Sequence, residues 1–306
     1  MQRTRFIKPE SPNLLITGDW HLREDVPECR TDNFWEAQWR KVEFIVELAL
    51  RYDIPIIHSG DLYDHWKPSP YLLTETIKRL TPVSGRFYTI YGNHDLPQHN
   101  LELSVKCGIN VLMEAKIIQV LNGIHWGENP QKNYITKTNL GLPVLSDEID
   151  RKILVRHVMT YTGKPLWPGM VDPKADILLR KYSQYDLIIT GHNHQSFVSK
   201  LDGRILVNPG SITRQTASQI DFLPCVYLWT ASTNSVSRVY LPVEEDVVSR
   251  EHIERKEQHS NRIEAFVTKL NTEWEGEVSF EENLEHLMIE NQVRQSVKEI
   301  VYRSLE

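Results

Sequence analysis

Leu14-Leu15-Ile16-Thr17-Gly18-Asp19-Trp20-His21 is an apolar run that stops at a glycine and gives way at once to an aspartate and a histidine. It reads as a buried strand ending in a polar loop. The same figure recurs along the chain. Ile54 to His58 precedes Gly60-Asp61-Leu62-Tyr63-Asp64, and Phe87 to Tyr91 precedes Gly92-Asn93-His94-Asp95. Ile153 to Arg156 leads to an isolated His157, and Leu187 to Thr190 leads to Gly191-His192-Asn193-His194. Strands that each deliver metal-type side chains at their carboxyl ends gather them along one edge, where open α/β sheets carry ligand sites.

Between these cassettes the period changes from strand to helix. Asp32-Asn33 opens a helical pattern whose apolar stripe is Phe34, Val42, Ile45, Val46, Leu48 and Ala49. Lys67-Pro68-Ser69-Pro70 opens another, with Tyr71, Leu72, Ile77 and Leu80 as its apolar face. Three strand-helix alternations favour a largely parallel sheet. Beyond Asn110 the strands shorten and turn signals multiply, at Asn122-Gly123, Gly127, Gly141-Leu142-Pro143 and Asp202-Gly203. Arg204 to Val207, Cys225 to Trp229 and Ser237 to Leu241 read as antiparallel strands completing a second sheet. The expected fold is α/β, a two-sheet β-sandwich flanked by helices, over residues 1–243.

From residue 244 to 306 the chain reads as an acidic helical segment. It holds 8 Lys and Arg against 16 Asp and Glu, whereas the preceding residues hold 27 against 25. Ile253, Ile263, Phe266, Val267, Leu270 and Trp274 mark one amphipathic helix, which Gly276 interrupts. Ser279 and Glu282 form a capping box ahead of a second apolar series through Leu284, Leu287 and Met288.

Bulk composition is that of an ordinary globular protein: 306 residues, 40% hydrophobic, 25% charged, net charge -6. No overall basic field draws in nucleic acid. No apolar run approaches the roughly 20 residues that span a bilayer. Residues 1–12 carry Arg3, Arg5 and Lys8 without an apolar stretch of signal-peptide length, so a cytoplasmic protein without membrane contact is expected. Cys29, Cys107 and Cys225 are odd in number and far apart, which argues against a disulfide framework and a thiolate zinc site.

The cassettes suit one chemistry in particular. Phosphodiester hydrolysis at neutral pH needs a hydroxide nucleophile and a way to spread charge over the phosphoryl oxygens, and two divalent ions roughly 3.5–4 Å apart supply both. Asp61 is the candidate carboxylate to touch both ions. Asp19 and His21 can converge on one ion, Asn93 and His157 on the other, and His192 and His194 are spaced for one imidazole to face each. Mixed nitrogen and oxygen donors suit manganese, iron or zinc. Manganese is the expected ion, with iron, zinc or magnesium as alternatives.

The ordered set DxH, GDxxD, GNHD, H and GHxH resembles the calcineurin-like metallophosphoesterase superfamily, over residues 13 to about 241. That resemblance implies one ion held by Asp19, His21, Asp61 and His194, and a second held by Asp61, Asn93, His157 and His192. It makes His94 a catalytic residue that stabilises the transition state or protonates the leaving oxygen, with Asp95 orienting its ring. Gly18-Asp19-Trp20-His21-Leu22, the Asp61 cassette with Lys67-Pro68-Ser69-Pro70, and Gly92 to Leu96 are similar to the SbcD-type nuclease subunits and their phage relatives. Asn208-Pro209-Gly210-Ser211-Ile212 resembles a turn of that branch that small phosphodiesterases share. Some nuclease relatives place a histidine where Asp64 stands, and neighbouring His65 is the candidate substitute.

The resemblance implies a manganese-dependent DNA exonuclease or endonuclease serving repair and recombination. The alternatives are a phosphatase or small-nucleotide or cyclic phosphodiesterase, and a binding subunit with a vestigial metal centre. Lys67, His99, Arg214 and the loop Thr160 to Asp172, with Tyr161, Lys164 and Trp167, are candidates to line a DNA groove, joined by Trp20 and Trp66; loop packing is the other reading of these aromatics. The acidic tail suits phosphate poorly. It is expected to grip an SMC-like ATPase or a second copy of the chain, or to fold back on the body.

Overall fold

The computed structural model describes residues 11–121, 135–136, 151–272 and 280–303. Phe266, Val267 and Leu270 as side chains, Trp274, Gly276, the Ser279 cap and the turn signals at 122–123, 127 and 141–143 lie outside the described part. Two compact units emerge, Met1–Ser249 and Arg250–Glu306.

In the first unit, β1 (Leu14–Thr17) is followed by α1 (Phe34–Tyr52), β2 (Ile56–His58), α2 (Pro70–Leu80), β3 (Phe87–Thr89), α3 (Gly108–Glu114) and β4 (Gln119–Val120). Then come β5 (Ile135–Thr136), β6 (Ile153–His157), α4 (Ala175–Lys181), β7 (Leu187–Gly191), β8 (Phe197–Leu201), β9 (Arg204–Asn208), β10 (Cys225–Thr230) and β11 (Ser235–Tyr240). One sheet has the order β11-β10-β1-β2-β3-β4 and the other β5-β6-β7-β9-β8. β1 to β4 run parallel, as do β6, β7 and β9.

Alternation along the strands sorts side chains between layers. Leu14 and Ile16 of β1 and Ile57 of β2 meet Ile153, Val155, Leu187, Ile189, Ile205 and Val207 in a core between the sheets. Leu15, Ile56 and Phe87 point the other way, onto α1, α2 and α3 through Val42, Ile45, Leu72 and Leu112. Leu154, Ile188 and Leu206 share one register row and cover Leu178 and Leu179 of α4. The architecture is the expected sandwich of two mixed sheets flanked by helices.

The helix starts follow their caps. Asn33 accepts a hydrogen bond from the Glu36 backbone at 3.2 Å, and Ser69 accepts one from Leu72 at 3.0 Å with Pro70 opening the first turn. The whole α1 stripe is buried. On α2, Leu72 and Leu80 are buried, but Tyr71 turns outward and stacks on Trp35 at 5.2 Å.

Two differences from the sequence reading concern strands. Cys225 to Trp229 and the strand after it do not join the second sheet. They extend the first, with Leu14 opposite Trp229 and Ile16 opposite Tyr227 in antiparallel register. β10 is buried on both faces, so its pattern says nothing of which sheet takes it. β8 was not anticipated; its side chains are mostly half-buried, and the Asp202-Gly203 hairpin, both residues at positive φ, returns it antiparallel to β9.

The second unit contains α5 (Glu251–Thr272), α6 (Phe280–Glu290) and α7 (Gln295–Arg303). Leu284, Leu287 and Met288 are buried, while Ile263, Ile289, Val297 and Ile300 are exposed. Among the described residues no helix is long and apolar enough to cross a membrane.

Candidate metal centre

Register brings the strand ends level: Thr17, His58 and Thr89 lie opposite one another in the first sheet, and His157 opposite Gly191 in the second. The cassettes leave these ends through tight backbone. Asp19, His21, Asp61 and His192 all have positive φ, at 47°, 45°, 57° and 78°. That region disfavours residues with a Cβ, and its use here aims side chains back over the strand ends. The adjoining glycines permit close approach. A Cβ on Gly92 would lie 2.0 Å from Asp61 Oδ1, and one on Gly18 would lie 1.9 Å from Ser59 Oγ.

The result is a compact set of donors. Asp19, His21 and His194 have one ligand atom each within 4.8 Å of one another, as do Asp61, His157 and His192, and also His21, Asp64 and His94. Asp61 of the second set approaches the first. Its Oδ2 lies 3.1 Å from His157 Nε2 and 3.6 Å from His21 Nε2, while its Oδ1 accepts the His94 backbone N–H at 2.9 Å. Asn93 Oδ1 lies 3.0 Å from His157 Nε2 and 2.9 Å from His192 Nδ1. His21 Nε2 and His194 Nε2 are 3.1 Å apart.

Outer contacts fix the rings. The Ser59 carbonyl can only accept, so His157 carries its proton on Nδ1, donated at 2.9 Å, and presents Nε2 to the cluster. His192 backbone N–H donates to Asp19 Oδ1 at 2.8 Å. Asn193, between the two cassette histidines, donates to the Thr160 carbonyl at 2.7 Å. Asn208 of the Asn-Pro-Gly-Ser turn donates to the carbonyls of Asn193 and Gln195, so that turn braces the histidine cassette.

Electrostatics are shaped by burial and then by neighbouring charge. Burial works to raise the Asp61 pKa, but the charges of His157, His21 and His94 outweigh it and hold the carboxyl below its usual range. Burial, helped by the Asp61 charge, wins at Asp19, pushed up to about 7, and its Oδ2 has no hydrogen-bond partner among the described residues. Burial works against charge on His157, yet Asp61 and Asp19 raise it to about 9. His192 is pushed down to about 4 by burial and by His157, and His194 to about 3 by burial and by His21. A buried carboxylate oxygen with no hydrogen-bond partner among the described residues, in one set with the imidazoles of His21 and His194, fits a divalent cation.

Several expectations about individual residues change. Asp95 does not orient the His94 ring. Its carboxylate accepts the backbone N–H groups of Asp61, Leu62, Tyr63 and Gly92, at 2.8, 3.1, 3.2 and 2.9 Å, and so clamps two cassettes together. The ring is held instead by the Asp64 backbone carbonyl, which accepts a hydrogen bond from His94 Nδ1 at 2.8 Å and leaves Nε2 out of that bond on an exposed residue. Asp64 Oδ1 is 3.6 Å from His21 Nδ1, so Asp64 and not His65 stands in the cluster; exposed His65 accepts from the Lys67 backbone at 3.2 Å. Arg23, which the sequence reading passed over, pairs with Asp64 at 3.1 Å, and a cation two residues after Asp-x-His was the available signal.

The groove candidates divide. Trp20 is fully buried on His58 and Phe87, with Nε1 donating to Thr17 at 2.8 Å, so it is core. Trp66 packs half-buried against the same core. Arg214 is buried and donates to the carbonyls of Ile220 and Glu244, away from the cassettes. His99 donates to the Asn93 carbonyl at 2.9 Å and so supports the cassette from outside. Lys67, Lys164 and Trp167 are exposed, and Tyr161 is half-buried in a bridge to Lys174.

Residues 13–228 match the calcineurin-like phosphoesterase superfamily domain. The chain belongs to that superfamily. This phosphoesterase is therefore a metal-dependent hydrolase, and its two mixed sheets flanked by helices are those of the superfamily fold. It is similar to the DNA double-strand break repair protein Mre11 of Haloferax volcanii, 27% identical over 68% of this chain and 47% of that protein. The protein of the same name from Saccharolobus solfataricus is 29% identical over 55% of this chain and 46% of its own length. The chain thus spans less than half the length of these relatives. A solved archaeal phosphodiesterase aligns over 74% of this chain and 99% of its own, at 13% identity and a TM-score of 0.41.

Proposed function

We propose that this phosphoesterase is a manganese-dependent DNA nuclease of the SbcD-like kind. The observation that carries the reading is Asp61 Oδ2, which lies 3.1 Å from His157 of its own donor set and 3.6 Å from His21 of the neighbouring one, and so stands between the two. In this reading Asp19, His21, Asp61 and His194 hold one ion, and Asp61, Asn93, His157 and His192 hold the other. When bound, such a pair supplies a water of lowered pKa and a clamp on the phosphoryl oxygens. The names of the relatives, DNA double-strand break repair proteins, support DNA as the substrate.

The chain's own residues complete the chemistry. His94, exposed beside the cluster and anchored through Nδ1, would act as the imidazolium: Nε2 gives its proton to the departing alkoxide and the ring is left neutral with the Nδ1 proton still on the Asp64 carbonyl. Asp61 holds the His94 backbone with one oxygen and keeps the other for the centre. The exposed loop bearing Lys164 and Trp167, tied at its base to Asn193, is suited to meet phosphates and stack bases. Exposed Ile263, Ile289, Val297 and Ile300 support a role for residues 244–306 in holding a second protein, an SMC-like ATPase or another copy.

The test is cleavage of single-stranded and duplex DNA by the purified chain with Mn²⁺. Robust hydrolysis is expected, and His94→Ala should lower turnover by about 10²–10⁴-fold while the protein still binds metal. Turnover confined to cyclic nucleotides or a chromogenic phosphomonoester would overturn the nuclease reading and leave a small-molecule phosphoesterase. Light scattering on the full chain with and without an ATPase partner reports on the tail.

A further inference from the structure

A cavity of about 210 Å³ lies away from the metal cluster, lined by Arg30, Arg40, Lys41 and Arg214 with Asp32 and Glu244. The charges in it do not balance. Arg30 is paired with Asp32 and Arg40 with Glu244. Lys41 and Arg214 have no carboxylate within ion-pair distance among the described residues. Arg214 is tied to carbonyls, while Lys41, a residue only 5% exposed, reaches the Ala37 carbonyl of its own helix at 3.4 Å. Burial and the neighbouring Arg30 push Lys41 down to about 8, so it still carries its proton at neutral pH.

Two buried cations line one cavity with no carboxylate in direct ion-pair contact; Asp32 favours their charge from a distance but is itself paired with Arg30, so the cavity keeps an excess of positive charge that is costly unless an anion joins it. A phosphate offers what is missing: two negative charges, with oxygens matched to a guanidinium fork and an ammonium. The side chains of Arg40 and Glu244 are about half exposed, at 53% and 50%, so the cavity has an open side toward which a substituent on the phosphate can extend. We propose that this cavity binds a phosphate dianion, either inorganic phosphate or the terminal phosphate of a mononucleotide. The site uses none of the residues assigned to the metal centre and stands whichever phosphoester that centre hydrolyses.

The experiment is calorimetric titration of the full chain, stripped of metal with a chelator, with inorganic phosphate or a deoxynucleoside monophosphate, and with acetate at matched ionic strength. Saturable phosphate binding is expected, with no saturable response to acetate. Lys41→Met, which keeps the unbranched stem and removes the charge, should weaken it by about tenfold or more, while Asp61→Asn leaves it unchanged. Tighter binding of the mononucleotide identifies that source, and equal binding identifies free phosphate. Absence of binding, or binding indifferent to Lys41→Met, overturns the proposal. Thermal melts of Lys41→Met guard the comparison: removal of a buried charge should leave the variant folded and at least as stable as the parent.

Discussion

Single residues decide the character of this centre, and Asp95 is the clearest case. It lies beside a histidine in Gly92-Asn93-His94-Asp95, which invites the reading of an acid steering a base. In the structure it serves backbone instead, accepting N–H groups from both the Asp61 and Asn93 cassettes. Asp95→Ala would strand those donors in a buried place, and a stability loss of about 3 kcal/mol or more is expected in urea unfolding. A variant of parental stability that fails only in turnover would restore the ring-orienting role. That these side chains gather at the strand ends was legible from the sequence, because the candidate metal ligands stand out by residue type and spacing after apolar runs. Asp95's part was not legible, because which acceptor a buried carboxylate finds depends on how two distant loops fold against each other.

Elements carry a second kind of information. The parallel strands announce themselves as short aliphatic runs, and the helices as stripes with caps, so their order was readable. Sheet membership was not: β10 is apolar on both faces and carries no alternation to betray a partner, and half-buried β8 carries too weak a pattern to stand out. β2 ends in a buried group with a measurable signature. His58 is packed against Trp20 and lies 2.9 Å from Thr89 Oγ1, and burial pushes it down to about 3. The unfolded chain then takes up a proton near its ordinary value of 6.5 while the folded chain does not. This histidine's contribution is therefore intact above about pH 6.5 and lost as pH falls toward 3. Between pH 6.5 and 5, His58→Phe should gain on the parent by up to about 1.4 kcal/mol per pH unit in unfolding free energy. A difference that stays constant with pH would show that His58 is already charged in the fold.

At the scale of the molecule, the first compact unit runs to Ser249, six residues beyond Val243 where the composition changes. Those residues are tied in: Arg30 bridges Val248, Ser249 N–H donates to the Cys29 carbonyl at 2.7 Å, and Val247 and Val248 are buried. Truncation after Ser249 should leave the melting temperature of the phosphoesterase unit and its metal binding nearly unchanged. Truncation after Val243 should lower that temperature by several degrees, as loss of two buried valines costs roughly 3 kcal/mol or more. Equal melting of both truncations would place the boundary at the composition change. The left-handed backbone at Asp19, His21, Asp61 and His192 bears on how such an enzyme can be improved in the laboratory. Glycine at any of these positions relieves the local conformation and deletes one of the donors proposed for the centre, so on that reading stability and catalysis pull the same codon in opposite directions. A selection for heat resistance alone would drift toward glycine there and return a hardy, inert protein; only a screen that demands turnover at every round keeps these four residues in place.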